Sequence, residues 1–197
     1  MHLMDDIRTK ECQIFAKAWQ RWRGASLVPR RSGVRIEEIS RLLHLLSVVE
    51  LVSPEIANFR LAGTSLCEGM GLELTGRNYF DFTTPEARGP RVARTNQLVK
   101  HPCGSHFIFP IEYSSGRIVP AEVLSLPVLP NNPSEPPQIF AMSVSLQDMR
   151  LDGPRSAPTE LPEADGFQFV DIGAGVPDDS LDLTDRAPAS LLLKQAS

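Results

Sequence analysis

The chain has 197 residues, 42% hydrophobic and 22% charged, close to soluble globular averages, so wholesale disorder is excluded and one ordinary domain with an appendage is expected. No stretch approaches the roughly 18 apolar residues of a membrane span, and Met1 to Lys10 carries no apolar signal region; Cys12, Cys67 and Cys103 are too scattered for a disulfide framework or zinc knuckle, so a cytoplasmic protein is expected. The net charge of −4 is uneven: residues 150–197 hold four basic against nine acidic residues, which leaves a near-neutral body without the footprint that nucleic acid requires.

From Asp5 to Arg23, Ile7, Ile14, Phe15, Ala18, Trp19 and Trp22 fall at helical spacings between basic and polar residues, predicting an amphipathic helix. Gly24 and Pro29 end it. Around its end and the following loop, Arg21, Arg23, Arg30, Arg31 and Arg35 form a basic cluster that reads as a solvated rim, with a DNA-binding regulator as the minor alternative. A short helix fits Ile36 to Leu43, with Glu37 and Glu38 at the positive end of its dipole. Leu45 to Val52 and Asn58 to Ala62 read as a hairpin of strands broken by Pro54. Gly69, Gly71 and Gly76 then interrupt short apolar pieces, which suits brief helical turns, and Pro85 to Lys100 reads as a helix with Val92, Leu98 and Val99 inward.

Three longer strands follow: His106 to Tyr113, with Phe107, Phe109, Ile111 and Tyr113 on one face; Arg117 to Leu129; and Gln138 to Gln147, with Phe140, Met142, Val144 and Leu146 alternating. Pro110, Pro120 and Pro127 cannot donate to a ladder and predict irregular strands. Strand runs flanking grouped helices argue for an α+β fold with an antiparallel sheet. The organisation is then an N-terminal helix (1–24) that contacts a second copy or caps the core, a body (25–149), and an acidic, proline-rich tail (150–197). In that tail Gly166 to Ile172 is strand-like, Ser190 to Lys194 is weakly helical, and much of the rest is expected to be mobile.

Two strands, a helical cluster and three strands is the order of PAS domains, and particular residues strengthen the likeness. Trp22-Arg23 with Leu27-Val28-Pro29-Arg30-Arg31-Ser32, then Phe59-Arg60-Leu61-Ala62-Gly63-Thr64, then Gly71 with Leu74-Thr75-Gly76-Arg77, resemble the alphaproteobacterial single-domain PAS type 5 family over about residues 15 to 148. The resemblance implies a five-stranded antiparallel sheet with helices over one face, a role in sensing or protein interaction, and dimerisation through the N-terminal helix. It names no ligand. On physical grounds Gly63 ends a strand where the chain turns into a helix, and Thr64 can cap the turn that follows.

The chemistry-bearing candidates are few. The cofactor is unknown, because neither the flavin-cysteine nor the haem-histidine signature of photosensory and haem PAS subclasses is present; Cys67 reads as a packing thiol. His101, Cys103 and His106 form an H-x-C-x-x-H string that Pro102 and Gly104 assign to a surface loop rather than a metal site. There is no nucleophile elbow, no phosphate loop and no assigned base among His2, His44, His101 and His106, so no catalytic residue is expected. Adjacent acids such as Glu37 and Glu38, or Asp178 and Asp179, read as solvated charges. Two readings remain. In one, Phe59, Leu61, Val92, Leu98, Phe107, Phe109 and Ile111 surround a pocket for a small apolar ligand, with Asn96 orienting it. In the other, a ligand-free adaptor docks a protein partner or its own copy through the helix that carries Phe15, Trp19 and Trp22, or through a sheet face. No kinase, cyclase or DNA-binding module is read after the body, so output is expected to pass through binding.

Overall fold

The computed structural model describes residues 7–112, 118–146 and 165–177. Six strands form one antiparallel sheet: β1 (Leu46–Ser53), β2 (Ile56–Ala62), β3 (Gly104–Glu112), β4 (Ile118–Val128), β5 (Gln138–Ser145) and β6 (Asp165–Val170), in the spatial order β2-β1-β5-β4-β3-β6. β1 to β5 are the five strands expected from the sequence. β6 comes from the strand-like piece of the tail and pairs along β3, for instance Ser105 with Phe169. Tyr113 and the Ser114-Ser115-Gly116 turn, as well as the helical reading at Ser190 to Lys194, lie outside the described residues.

The helices are α1 (Lys10–Arg23), α2 (Thr64–Met70) and α3 (Pro85–Lys100), joined by 3-10 turns at Arg31–Gly33, Ile36–Leu45 and Tyr79–Phe82. They cover both faces of the sheet rather than one. The strands explain why, since both of their faces are apolar. One face presents Leu46, Val48, Leu124, Leu126, Phe140 and Met142, and it packs under Phe15, Trp19 and Trp22 of α1 and under Ile39. The other presents Val49, Ile139 and Phe169 to Met70, Leu74, Phe80 and Leu98 from α2, α3 and the segment between them. A sheet apolar on both faces needs a cover on each.

α1 starts later than the spacing predicts, at Lys10, because Thr9 is its N-cap: the Thr9 hydroxyl accepts from the Cys12 N–H at 3.3 Å. Gly24 closes the helix with φ +54°, a conformation that costs an L side chain and not glycine. Ile14, counted among the inward residues by its spacing, is instead 45% exposed. The expected Ile36 to Leu43 helix is a longer 3-10 stretch that departs from helical geometry at Ile39. Thr64 is the first residue of α2 and makes no cap; Gly63 precedes it as N-cap. What position 63 demands is space, since a Cβ there would lie 2.4 Å from the His44 carbonyl oxygen.

Candidate functional site

The register of the sheet leaves a hollow. Along its α2/α3 face, Ser105 of β3 pairs with Ser125 of β4, Ser125 with Ala141 of β5, and Ala141 with Ser47 of β1. Four small side chains thus stand in one row across four strands. The next two rows run Phe107–Val123–Ser143 and Phe109–Ala121–Ser145, again with small residues towards β5. Above this floor of small residues lies a cavity of about 370 Å³, between the sheet and the α2/α3 layer. That is within the range of small-ligand sites.

The roof is assembled by local hydrogen bonds. The Gly76 N–H donates to the Phe59 carbonyl at 2.8 Å, and the Phe59 N–H donates to the Arg77 carbonyl at 2.9 Å. The Phe59–Thr64 and Leu74–Arg77 motifs are therefore bonded to each other, and the open edge of β2 is covered. Asn78 continues this contact: its Oδ1 accepts from Ala57 N and Phe80 N at 3.0 and 3.3 Å, while its Nδ2 donates to the Glu55 carbonyl at 3.3 Å. These bonds fix the turn that delivers Tyr79 and Phe82 to the cavity. α3 begins at the N-cap Thr84, whose hydroxyl accepts from Ala87 N at 3.4 Å, followed by Pro85 with its φ already helical. Its cavity side is Ala87, Arg91, Arg94, Thr95 and Leu98, a stripe at helical spacing. Arg91 lies over the Tyr79 ring at 5.6 Å and Arg94 over the Phe167 ring at 4.5 Å.

Of the pocket residues expected from the sequence, Phe59, Leu98, Phe107 and Phe109 line this cavity. Leu61, Val92 and Asn96 do not. Phe59 pairs with Val49 but Leu61 pairs with Val48, so a bulge at Arg60 turns Leu61 to the opposite face, where it is 38% exposed. Val92 packs in the adjoining core, and the Asn96 Nδ2 donates to the Pro54 and Val92 carbonyls at 2.9 and 2.8 Å, which makes it a tie between α3 and the β1–β2 turn. Ile111 belongs to β3, and its side chain lies outside what the structure describes. The sequence reading missed the serine rows, Arg91, Arg94 and Phe167. Phe167 stacks on Phe107 at 5.9 Å and meets Phe169 edge-on at 5.0 Å, so β6 contributes a wall of the cavity.

The candidates outside the cavity take structural roles. Phe15 and Trp19 are fully buried and Trp22 is 7% exposed. The interface reading of these aromatics is thereby corrected: the sheet of their own chain covers them. Trp19 Nε1 donates to the Pro127 carbonyl at 2.9 Å, and Trp22 meets Phe140 edge-on at 6.3 Å. The basic cluster is tied down as well. Arg21 pairs with Glu38, Arg31 with Glu50 and Glu135, and Arg23, Arg30 and Arg35 donate to the carbonyls of Ile172, Pro130 and Ser32.

The His101, Cys103, His106 string is not a surface loop either. Cys103 is fully buried against the α2/α3 core, and β3 turns His106 to the opposite face. Burial, together with the charge of Asp171, pushes the Cys103 thiol up to about 12, and burial does the same to Cys12, so both stay protonated thiols rather than nucleophiles or ligands at neutral pH. Among the described residues no group of three or more His, Cys, Asp and Glu could hold a metal. Cys67 is half-buried beside the Ala62 carbonyl and does not line the cavity.

His106 instead joins a buried polar chain. Its Nε2 donates to Glu122 Oε1 at 2.8 Å, and Gln168 of β6 lies 3.3 Å from its Nδ1. Glu122, fully buried, also accepts from Arg8 N at 2.6 Å, Thr9 N at 2.8 Å and the Thr9 hydroxyl at 2.5 Å. Burial alone would raise its pKa. The bonds from His106, Arg8 and Thr9 outweigh burial and bring it down to about 2, so the group is a carboxylate that anchors the start of α1 to β3 and β4.

A family model described as a PAS domain matches residues 7–142. No curated protein matches. Among solved structures the chain is similar to the Rhodobacter sphaeroides LOV protein, with 15% identity and a TM-score of 0.40 over 53% of this chain and 60% of that one. It is also similar to a fungal LOV domain photoreceptor (14%, 0.40, over 59% and 94%) and to the PAS domain of an HTR-like protein from Haloarcula marismortui (18%, 0.38, over 56% and 93%). The match to the Rhodobacter sphaeroides protein thus spans about 60% of that protein's length.

Proposed function

The chain belongs to the PAS domain family, generally sensory signalling modules, and from that premise we propose that it is a non-catalytic sensor that binds a small, largely apolar ligand between its sheet and the α2/α3 layer. One observation carries this reading. The rows of Ser and Ala across β1, β5, β4 and β3 keep a hollow of about 370 Å³ where the same positions could hold packed Leu or Ile. A protein interior is ordinarily filled to crystal-like density, and an unfilled hollow forfeits contact energy, so retaining one calls for an occupant.

The alternative of a ligand-free adaptor working through Phe15, Trp19 and Trp22 loses its anchors, because these rings are spent on the core of the chain itself. A DNA-binding regulator is less favoured, since Arg21 and Arg31 of the cluster are ion-paired with Glu38, Glu50 and Glu135 and the body around the cluster is near neutral. Among the described residues no helix is long and apolar enough to cross a membrane.

Native mass spectrometry of the purified chain, followed by thermal-shift screening of small apolar compounds, tests the reading. A co-purified small molecule, or a melting temperature that rises with ligand concentration, is the expected result. If nothing co-purifies and no compound raises the melting temperature, the sensor reading falls.

A further inference from the structure

The floor of the hollow narrows the class of ligand, an inference that rests on the ligand-binding reading above. Ser105 of β3 and Ser125 of β4 are direct cross-strand partners, both line the hollow, and they are only 3% and 7% exposed. Direct partners on one face of an antiparallel pair carry Cβ atoms roughly 4.5–5.5 Å apart, so one ligand atom between them lies within reach of both hydroxyls. The other serines of the rows differ: Ser47 Oγ donates to the Ala141 carbonyl at 3.5 Å, Ser145 is also engaged, and Ser143 is only half-buried. Among the described residues the Ser105 and Ser125 hydroxyls have no hydrogen-bond partner, neither each other nor a third group. Buried polar groups are ordinarily bonded, so two adjacent unmet hydroxyls on the floor of a cavity call for a bond from its occupant. A hydrocarbon would leave both unmet.

We propose that the ligand is an uncharged apolar carbonyl compound whose oxygen sits between the Ser105 and Ser125 hydroxyls. A carbonyl oxygen offers two lone pairs, one to each hydroxyl, and donates nothing itself, which matches a pair of donors. The apolar remainder of the ligand meets a wall that includes Val49, Phe59, Met70, Leu74 and Leu98. An ionised group at the serine pair would lack a counter-charge. Among the described residues no carboxylate lines the hollow, and its two arginines, Arg91 and Arg94, are each already engaged. Burying a charge without a partner is far more costly than burying a hydrogen-bonded carbonyl.

The test uses matched probes: methyl naphthyl ketone, its isostere isopropenylnaphthalene, in which a methylene group replaces the ketone oxygen, and naphthoate. Each is titrated into the full chain and into S105A, S125A and S105A/S125A. The double variant is expected to bind the ketone at least about tenfold more weakly and each single variant about fivefold more weakly, the scale of one neutral hydrogen bond per hydroxyl. Isopropenylnaphthalene should bind all four chains equally or the variants more tightly, which also reports that they are folded, and naphthoate should bind the wild-type chain more weakly than the ketone. In the wild-type chain the carbonyl stretch of the bound ketone should lie at the lowered frequency of a hydrogen-bonded ketone. Ketone affinity that survives S105A/S125A, a carbonyl stretch at its position in hydrocarbon solution, or naphthoate binding more tightly than the ketone overturns the carbonyl assignment and leaves the apolar cavity standing. Failure of the ketone, its isostere and an uncharged dye such as Nile red to bind the wild-type chain overturns the cavity reading itself, and the carbonyl assignment with it.

Discussion

Replacing Ala141 by Leu tests whether the space above the Ser/Ala floor is real. Ala141 lies in β5 between Ser125 and Ser47 and faces the cavity, so three added carbons would enter the hollow rather than a packed neighbour. At about 0.8 kcal/mol per buried methylene the gain is at most about 2.4 kcal/mol, and the rotamer entropy of a buried Leu returns roughly 0.5–1 kcal/mol of it. A net stabilisation of about 1.5 kcal/mol is expected, which for a chain of this size raises the melting temperature by about 3–6 °C. Urea unfolding should show a higher midpoint with an unchanged slope. The same variant should lose binding of methyl naphthyl ketone and isopropenylnaphthalene, because the added isobutyl group occupies their space. If A141L instead lowers stability by about 1–3 kcal/mol, the usual cost of overpacking, the site is filled and the reasoning fails.

The buried Glu122 makes stability pH-dependent in a definite direction. Its pKa is lowered from 4.5 to about 2, so its contribution is present above the unfolded value and is lost as pH falls towards 2. At about 1.4 kcal/mol per pKa unit this is on the order of 3 kcal/mol, and E122Q should flatten the acid limb of a stability-versus-pH curve between about pH 4.5 and 2; an unchanged limb would refute it. W19F removes the donor to the Pro127 carbonyl and should cost about 2 kcal/mol by chemical denaturation, whereas a cost below about 0.5 kcal/mol would mean that the bond is dispensable. G63A drives a Cβ into the His44 carbonyl and should cost about 3 kcal/mol. An unchanged melting temperature for G63A would contradict the close approach at position 63.

The fold was legible because element order depends on periodicity and punctuation, both of which this sequence marks well. Pro85 to Lys100 starts and ends as α3 does, and the inward Phe107 and Phe109 stand where their period-two spacing places them. The cavity was only half legible, for three physical reasons. A serine at every second position of a strand reads as a solvent-facing residue, and nothing local separates that from a serine facing a hollow, as Ser105, Ser125 and Ser143 do. The bulge at Arg60 reverses the phase of β2, which pattern reading carries straight through to Leu61. On α3, Val92 was taken for its hydrophobicity, although counting back from Leu98 by three, four and seven residues leads to Thr95, Arg94 and Arg91. Phe167 reaches the site through β6, which pairs with β3 across about 60 residues of chain, a contact that local spacing does not encode.

The methionine methyl groups offer the most direct measurement. Met70 lines the cavity, and Met142 lies on the opposite face of the sheet beneath α1. In methyl NMR spectra of the chain labelled at Met, titration with methyl naphthyl ketone and with isopropenylnaphthalene should shift the Met70 resonance progressively and to saturation while Met142 moves little. Resonances that stay in place, or a response at Met142 without one at Met70, would contradict a ligand site between the sheet and the α2/α3 layer.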